Sequence, residues 1–204
     1  MKMSNREKIL AEGMRLVLER GFFGASVRDI VEAAGVPQGS FTNHFPSKEA
    51  FGLEILDIYF SETRAVLDRT LRHPGLAPLD ALRAFLDANK ARLCAEGMEH
   101  GCLSGNVGAE ASARSETLRL RLLAIFDEII GALRACLERA VHAGALPPGT
   151  DCAALAGFIL LALQGAMLLS KVQHSLRPLE QLDYVLFSLT LSPLSPHDSL
   201  QGVH

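Results

Sequence analysis

The sequence predicts an all-α fold with a small N-terminal head and a larger helical body. The chain of 204 residues is 49% hydrophobic and only 6% aromatic, and it is rich in Leu, Ala, Glu and Arg, which favour helices. Apolar residues recur at helical spacing, and no run shows the strict alternation of a half-buried strand. We therefore expect a helical head over residues 1–50, a body over 51–191 and a disordered tail over 192–204.

The first two helices of the head have boundaries that the sequence marks. The first helix is expected over residues 5–20, because Gly21 is the residue type that most often ends a helix. Ser26 begins the second helix, since Asp29 follows it at the spacing of a capping box. Both boundaries satisfy backbone groups that a helix end leaves without partners.

A third short helix follows a glycine turn. Gly35 ends the second helix, and Pro37 suits the first turn of a helix that we expect over residues 38–45. Val36 and Phe41 would then fill the space between the helices, and Phe45 would pack onto the first helix. Two short helices on either side of a glycine turn are typical of a helix-turn-helix.

The body is expected to be helical, with glycine and proline marking its interruptions. Gly97, Gly101, Gly105 and Gly108 indicate an irregular segment, and Pro178 is expected to interrupt the chain before the last helix. The body helices are expected over residues 47–72, 78–95, 115–143, 152–174 and 180–191.

One body helix carries more apolar surface than a single core requires. A helix that packs only within its own domain needs one apolar stripe, but the helix over 115–143 has two. This excess predicts a homodimer, with a large monomeric core as the alternative. The first stripe is Leu118, Leu122, Ile125, Ile129, Leu133 and Cys136, and the second is Leu120, Leu123, Phe126 and Ile130.

The stretch over residues 152–170 contains no charged side chain and is long enough to cross a membrane. Gln164 lies near its middle, and no Lys/Arg cluster precedes it. These features favour a helix buried in a bundle or in a dimer interface, so we expect no membrane contact.

Charge restricts how the chain could bind nucleic acid. The net charge is −3, and residues 1–52 hold seven Lys or Arg and six Asp or Glu, which argues against coating of nucleic acid through charge alone. The third helix instead offers a local polar surface that can bond base edges, and cations at the starts of the flanking helices can bind phosphates. The alternative is a set of merely solvated positions. The candidate DNA contacts are Arg28, Gln38, Gly39, Ser40, Thr42, Asn43, His44 and Lys48.

The segment GFFGASVRDIVEAAGVPQGSFTNHFPSKEAFGLEIL resembles the TetR/AcrR family of bacterial regulators. The resemblance covers residues 6–56 and implies a repressor that binds a pseudo-palindromic, double-stranded operator as a homodimer in the cytoplasm. It further implies that an effector bound in the body releases the DNA. Many family members have tyrosine, which often reaches a phosphate, at the position of Thr42.

The segment HGCLSGNVGAE, residues 100–110, resembles a subgroup of this family with a G-C-L-x-G-N motif before its sensor helices. It contains Cys102 and Asn106, and the glycines around Cys102 leave its sulfur less crowded. A nearby ammonium such as Lys171 would favour the thiolate, so we hypothesise that Cys102 senses electrophiles or oxidants. The alternative is a packed cysteine with Lys171 in solvent at a helix end.

An apolar small molecule is the other effector class that the body could bind. Phe126 and Phe158 are candidate effector-sensing residues of such a pocket, although core packing explains every apolar position equally well. The wider set of candidate wall residues is Phe85, Leu86, Leu93, Met98, Leu122, Phe126, Phe158, Leu161, Met167 and Leu168.

Other functional classes find little support in the sequence. The four cysteines contain no C-x-x-C pair and suggest reduced cytosolic thiols. Cys94, His100 and Cys102 match no standard zinc spacing, so we expect no metal site and no cofactor. We find no Ser/His/Asp set in a motif context and no phosphate-binding glycine loop, which argues against an enzyme. An interaction module that does not read DNA is a further alternative.

Overall fold

The computed structural model describes residues 3–97 and 100–191, which form helices joined by turns. The all-α prediction is confirmed. The predicted tail over 192–204 and the candidate wall residue Met98 lie outside the described residues. The α-helices are α1 (Asn5–Arg20), α2 (Val27–Ala33), α3 (Gly39–His44), α4 (Lys48–Arg69), α5 (Pro78–Glu96), α6 (Leu103–Ala111), α7 (Glu116–His142), α8 (Cys152–Gln173) and α9 (Arg177–Tyr184), and a π-helix over Val185–Thr190 continues α9.

The caps that the sequence marks in the head are formed. The Asp29 N–H donates to Ser26 Oγ at 3.1 Å, and the Ser26 N–H donates to the Asp29 carboxylate at 2.9 Å. Gly21 ends α1 with a φ of +80°, and Gly35 makes the turn between α2 and α3 with a φ of +61°. Residues with a Cβ rarely adopt these angles, so glycine is needed at both positions.

An aromatic cluster holds the head together. Phe41, Phe45 and Phe51 are buried, and their ring centroids lie 5.2–5.5 Å apart. Phe41 brings α3 against α1 and α2, whereas Phe51 belongs to α4. The helix that leaves the head therefore also completes the core of the head.

In the body, α7 packs against α4, α5, α6 and α8. Glu128 on α7 binds Arg64 of α4 at 2.8 Å and Arg72, which lies just after α4, at 3.2 Å. Farther along α7, the guanidinium of Arg139 donates to the Leu71 carbonyl at 2.8 Å, just after α4 ends. These bonds hold α4 and α7 side by side.

Two expectations for the body differ from the structure, the first of them only in part. The segment predicted to be irregular is irregular at Gly97 and Gly101, which have positive φ values, but its second half forms α6. Gly105 packs closely there: a Cβ on it would lie 2.9 Å from Gln164 Oε1 on α8. Pro178 lies in the first turn of α9 instead of interrupting the chain, since a proline at that position lacks only an N–H that would have no helical partner.

One face of the body remains apolar and exposed. Exposed fractions run from 48% for Leu123 on α7 to 75% for Leu161 on α8. By length and composition alone, α8 could also cross a membrane, but it packs along α7 and α9. We call this surface the α7–α8 face; it comprises Leu120, Leu123, Phe158, Leu161, Leu168, Leu169 and Val172.

Candidate nucleic-acid interface and ligand cavity

The outer side of α3 is polar because Phe41 and Phe45 fix its inner side. Gln38, Gly39, Thr42, Asn43 and His44 are exposed. These side chains lie on about two turns of helix, which is short enough for a single groove of DNA. The exposed Asn43 amide can both donate and accept hydrogen bonds, as pairing with adenine in the major groove requires.

Two residues of α3 do not simply present a free polar group to solvent. Ser40 is only 8% exposed, so the expectation that it faces outward is wrong. It lies next to Phe41, on the side of α3 that packs against α1 and α2. Thr42 is exposed, but its hydroxyl donates to the Gly39 carbonyl at 3.1 Å within the same helix.

The two candidate phosphate-binding cations have different surroundings. Arg28 is exposed at the start of α2. Lys48, at the start of α4, is half-buried, and its ammonium lies 4.8 Å from the ring centroid of Phe22. Burial lowers the pKa of Lys48, and the carboxylates of Glu110 and Asp29 partly offset this effect. Lys48 is therefore directed toward the junction between head and body.

A cavity of about 290 Å³ lies between α6, the turn before it, and α8. Cys102 and Asn106 line it from one side, and Gln164, Leu168 and Lys171 line it from the other. The structure therefore brings together three of the five candidate effector-sensing residues, which are separated by up to 69 positions in the sequence.

The polar groups of this cavity meet at one carbonyl. Asn106 Nδ2 donates to the His100 carbonyl oxygen at 2.7 Å, and Lys171 Nζ donates to the same oxygen at 3.4 Å. Gln164 Nε2 lies 4.0 Å from Cys102 Sγ. Lys171 is thus a neighbour of the Cys102 turn, and not a solvated residue remote from it.

Comparison with known sequences now identifies the family. The profile described as "Bacterial regulatory proteins, tetR family" matches residues 9–55, and the profile "Tetracyclin repressor-like, C-terminal domain" matches residues 78–183. The chain belongs to the TetR family. It is a DNA-binding transcriptional regulator.

Individual relatives are similar to this chain over nearly its whole length. The HTH-type transcriptional repressor DhaR from Mycobacterium sp. (strain GP1) is 34% identical over 91% of this chain and 92% of its own length. The crystal structure of the reduced form of Escherichia coli NemR has a TM-score of 0.81 at 28% identity, covering 95% of this chain and 98% of NemR. A cysteine mutant of the TetR family regulator CifR, in complex with 26 base pairs of operator DNA, has a TM-score of 0.78 at 26% identity, covering 92% and 98%.

The remaining candidate effector residues of this TetR-family chain lie elsewhere. Phe126 lines a smaller inner cavity that shares Cys102, Gln164 and Met167 with the first. Phe158 lies in neither cavity and is 51% exposed on the α7–α8 face. No local sequence pattern marked Gln164 as a wall residue, because its role depends on how α8 packs against α6.

Glu110 connects α6 to the head. Its carboxylate accepts a hydrogen bond from the Phe23 N–H at 3.2 Å and lies so close to Gly21 that a Cβ there would overlap it. Cys102 is the N-cap of α6, whereas Glu110 lies in its last turn. One short helix therefore borders the cavity at one end and contacts the head at the other.

Proposed function

We propose that the chain is an effector-responsive repressor that binds a pseudo-palindromic operator as a homodimer in the cytoplasm. The exposed polar side of α3, supported from beneath by the buried aromatic cluster, is the observation that carries the proposal. One short helix reads few bases, so two heads about 34–36 Å apart are needed for affinity and specificity. The relatives DhaR and NemR, which are named repressors, support repression as the mode of action.

A mobility-shift assay with the DNA upstream of the chain's own gene tests DNA binding. Asn43→Ala should weaken operator binding about 5- to 150-fold, because a base contact of this kind contributes about 1–3 kcal/mol. Arg28→Ala should weaken binding to all DNA sequences alike, since a phosphate contact carries no base information. Gln181→Ala, an exposed change on α9, is the matched control. Full operator binding by the Asn43 variant would contradict the assignment of α3.

The α7–α8 face supports the homodimer. Its apolar side chains belong to two adjacent helices, which pair readily with a second copy to form a four-helix interface. Leu161→Glu should yield monomers in analytical ultracentrifugation, because it introduces a charge into that interface. Ala65→Glu, an exposed change on α4, should remain dimeric. A wild-type chain that sediments as a monomer at working concentration would contradict the proposal.

We infer that residues 100–110, which contain the G-C-L-x-G-N motif, sense the effector. We also propose that the chain belongs to the subgroup with that motif. Two modes of sensing remain: reaction of the Cys102 thiol, with Lys171 stabilising the thiolate, or binding of a small molecule without a covalent bond. The shared cavity of Cys102 and Lys171 supports the first mode, and the volume of that cavity, about 290 Å³, supports the second.

Alkylation distinguishes these modes. Iodoacetamide forms a carbon–sulfur bond with the Cys102 thiolate and loses iodide, so it should release wild-type protein from the operator. Cys102→Ser should remain bound, whereas Cys94→Ser, which removes an exposed cysteine, should still be released. Mass spectrometry of the intact protein verifies the modification. Equal release of the Cys102 variant would contradict thiol sensing.

A further inference from the structure

The cavity between α6 and α8 opens onto the α7–α8 face. Leu161, Gly165, Leu168 and Val172 follow one another at spacings of three or four residues, so they form a single row along α8. Leu161, Leu168 and Val172 are 75%, 60% and 68% exposed, and Gly165 is exposed as well. Gly165 and Leu168 also line the cavity. The mouth of the cavity and the apolar row are therefore the same part of the surface.

Gly165 creates the opening in this row. A Cβ built on it would meet no atom within 4 Å, which leaves a gap between Leu161 and Leu168. Packed helices lie about 8–10 Å apart, so a second copy that covers Leu161 and Val172 must also pass over this gap. The cavity is open in one subunit, and it would be closed in the homodimer.

Closure would leave an ammonium group in a largely apolar space. Within the described residues Lys171 makes no ion pair, and its hydrogen-bond partner is the His100 carbonyl. Met167 and Leu168 contribute apolar surface to the same cavity. A charge that loses water needs a counter-charge, and the attraction between the two strengthens as water is excluded. A ligand with an acidic group would supply that counter-charge.

We propose that this cavity is an intersubunit site for a small organic acid. The carboxylate of the ligand binds Lys171, its apolar part lies against Met167 and Leu168, and the second subunit closes the mouth over Gly165. A volume of about 290 Å³ is at the lower limit of the usual range for ligand pockets, about 300–1,000 Å³, so the ligand is small. This inference rests on the proposed homodimer and its response to an effector.

Calorimetry on the full chain without DNA tests the ligand class. The probes are propionate, hexanoate and benzoate, each paired with the corresponding alcohol. At least one acid should bind with one molecule per subunit, and at least tenfold more tightly than its alcohol. Lys171→Gln should remove that preference and Lys171→Arg should keep it, whereas Arg177→Gln on α9 should have no effect. Failure of all three acids to bind, or equal affinity for acid and alcohol, would overturn the ligand class.

Sedimentation of the wild-type chain tests the intersubunit closure. A ligand whose site needs both subunits must strengthen their association. A saturating concentration of the acid that binds should therefore lower the Kd of the dimer at least tenfold, and monomeric Leu161→Glu should bind that acid at least tenfold more weakly. An unchanged dimer Kd would mean that one subunit completes the cavity, and would overturn the closure.

The operator assay separates this inference from the function on which it rests. If wild-type protein binds the operator as a dimer while no acid binds, only the intersubunit acid site fails. If wild-type protein is monomeric or does not bind the operator, the proposed function itself fails.

Discussion

The head and the body differ in how far one chain completes them. Among the described residues, the large apolar side chains that the head exposes are Met3 and Phe23. The body exposes many more, and most of them belong to the α7–α8 face. The head thus buries nearly all its large apolar side chains within a single chain, whereas the body leaves an apolar surface that the proposed homodimer would cover.

Replacing a phenylalanine by alanine in the head and in the body should give the largest difference in the free energy of unfolding. Phe45→Ala removes a side chain that is 1% exposed from the aromatic cluster and should cost about 3–5 kcal/mol in free energy of unfolding. Phe158→Ala removes a side chain that is 51% exposed and should change the stability of the isolated subunit little, while it weakens the dimer. Urea denaturation and sedimentation measure the two effects. Equal loss of subunit stability in both variants would remove the distinction between head and body.

A substitution at the junction between head and body should have a smaller effect on stability. Glu110→Gln replaces the charged acceptor of the Phe23 N–H with a neutral one, which should cost about 1 kcal/mol because the carboxylate is only partly buried. Hydrogen exchange at the Phe23 amide should become about fivefold faster. Glu116→Gln, on an exposed carboxylate of α7, is the control. An unchanged exchange rate would show that Glu110 does not hold the head.

Acid should weaken the body through the bond between α4 and α7. The guanidinium groups of Arg64 and Arg72 hold the pKa of Glu128 below its ordinary value of about 4.3. The unfolded chain therefore binds this proton first, so the stabilisation is complete above about pH 4.3 and declines as pH falls through the folded-state pKa. Denaturation curves from pH 7 to 3 should show a smaller loss of stability for Glu128→Gln than for wild type. Identical slopes would exclude a contribution from Glu128.

The features that depend on local sequence could be predicted well. The bounds of α1 and the capping box at Ser26 agree with expectation, because each depends on residues within four positions of one another. Gly21 and Gly35 adopt positive φ values. The ease with which glycine adopts such values is the reason why the sequence suggested both residues as helix ends. The inward orientation of Phe41 and Phe45 likewise follows from their spacing on one short helix.

The features that depend on distant contacts could not be predicted in the same way. The glycines of α6 resemble a loop in the sequence, and the close approach of Gln164 to Gly105 depends on a helix about 60 positions away. Ser40 is polar, but its neighbours on α1 and α2 bury it. The orientation of Lys48 toward Phe22 also depends on a contact between residues 26 positions apart. The cavity joins residues from α6 and α8, so no single segment indicated its walls.

The contact between Glu110 and Gly21 has a genetic consequence. Gly21 both ends α1 and makes room for a carboxylate from the body, so nearly any substitution there disturbs two functions at once. A selection for regulators that no longer answer their inducer should therefore recover changes at position 21 as well as at position 110. Neither residue belongs to α3 or to the walls of the cavity, so such alleles would map to a place where neither DNA nor inducer is bound.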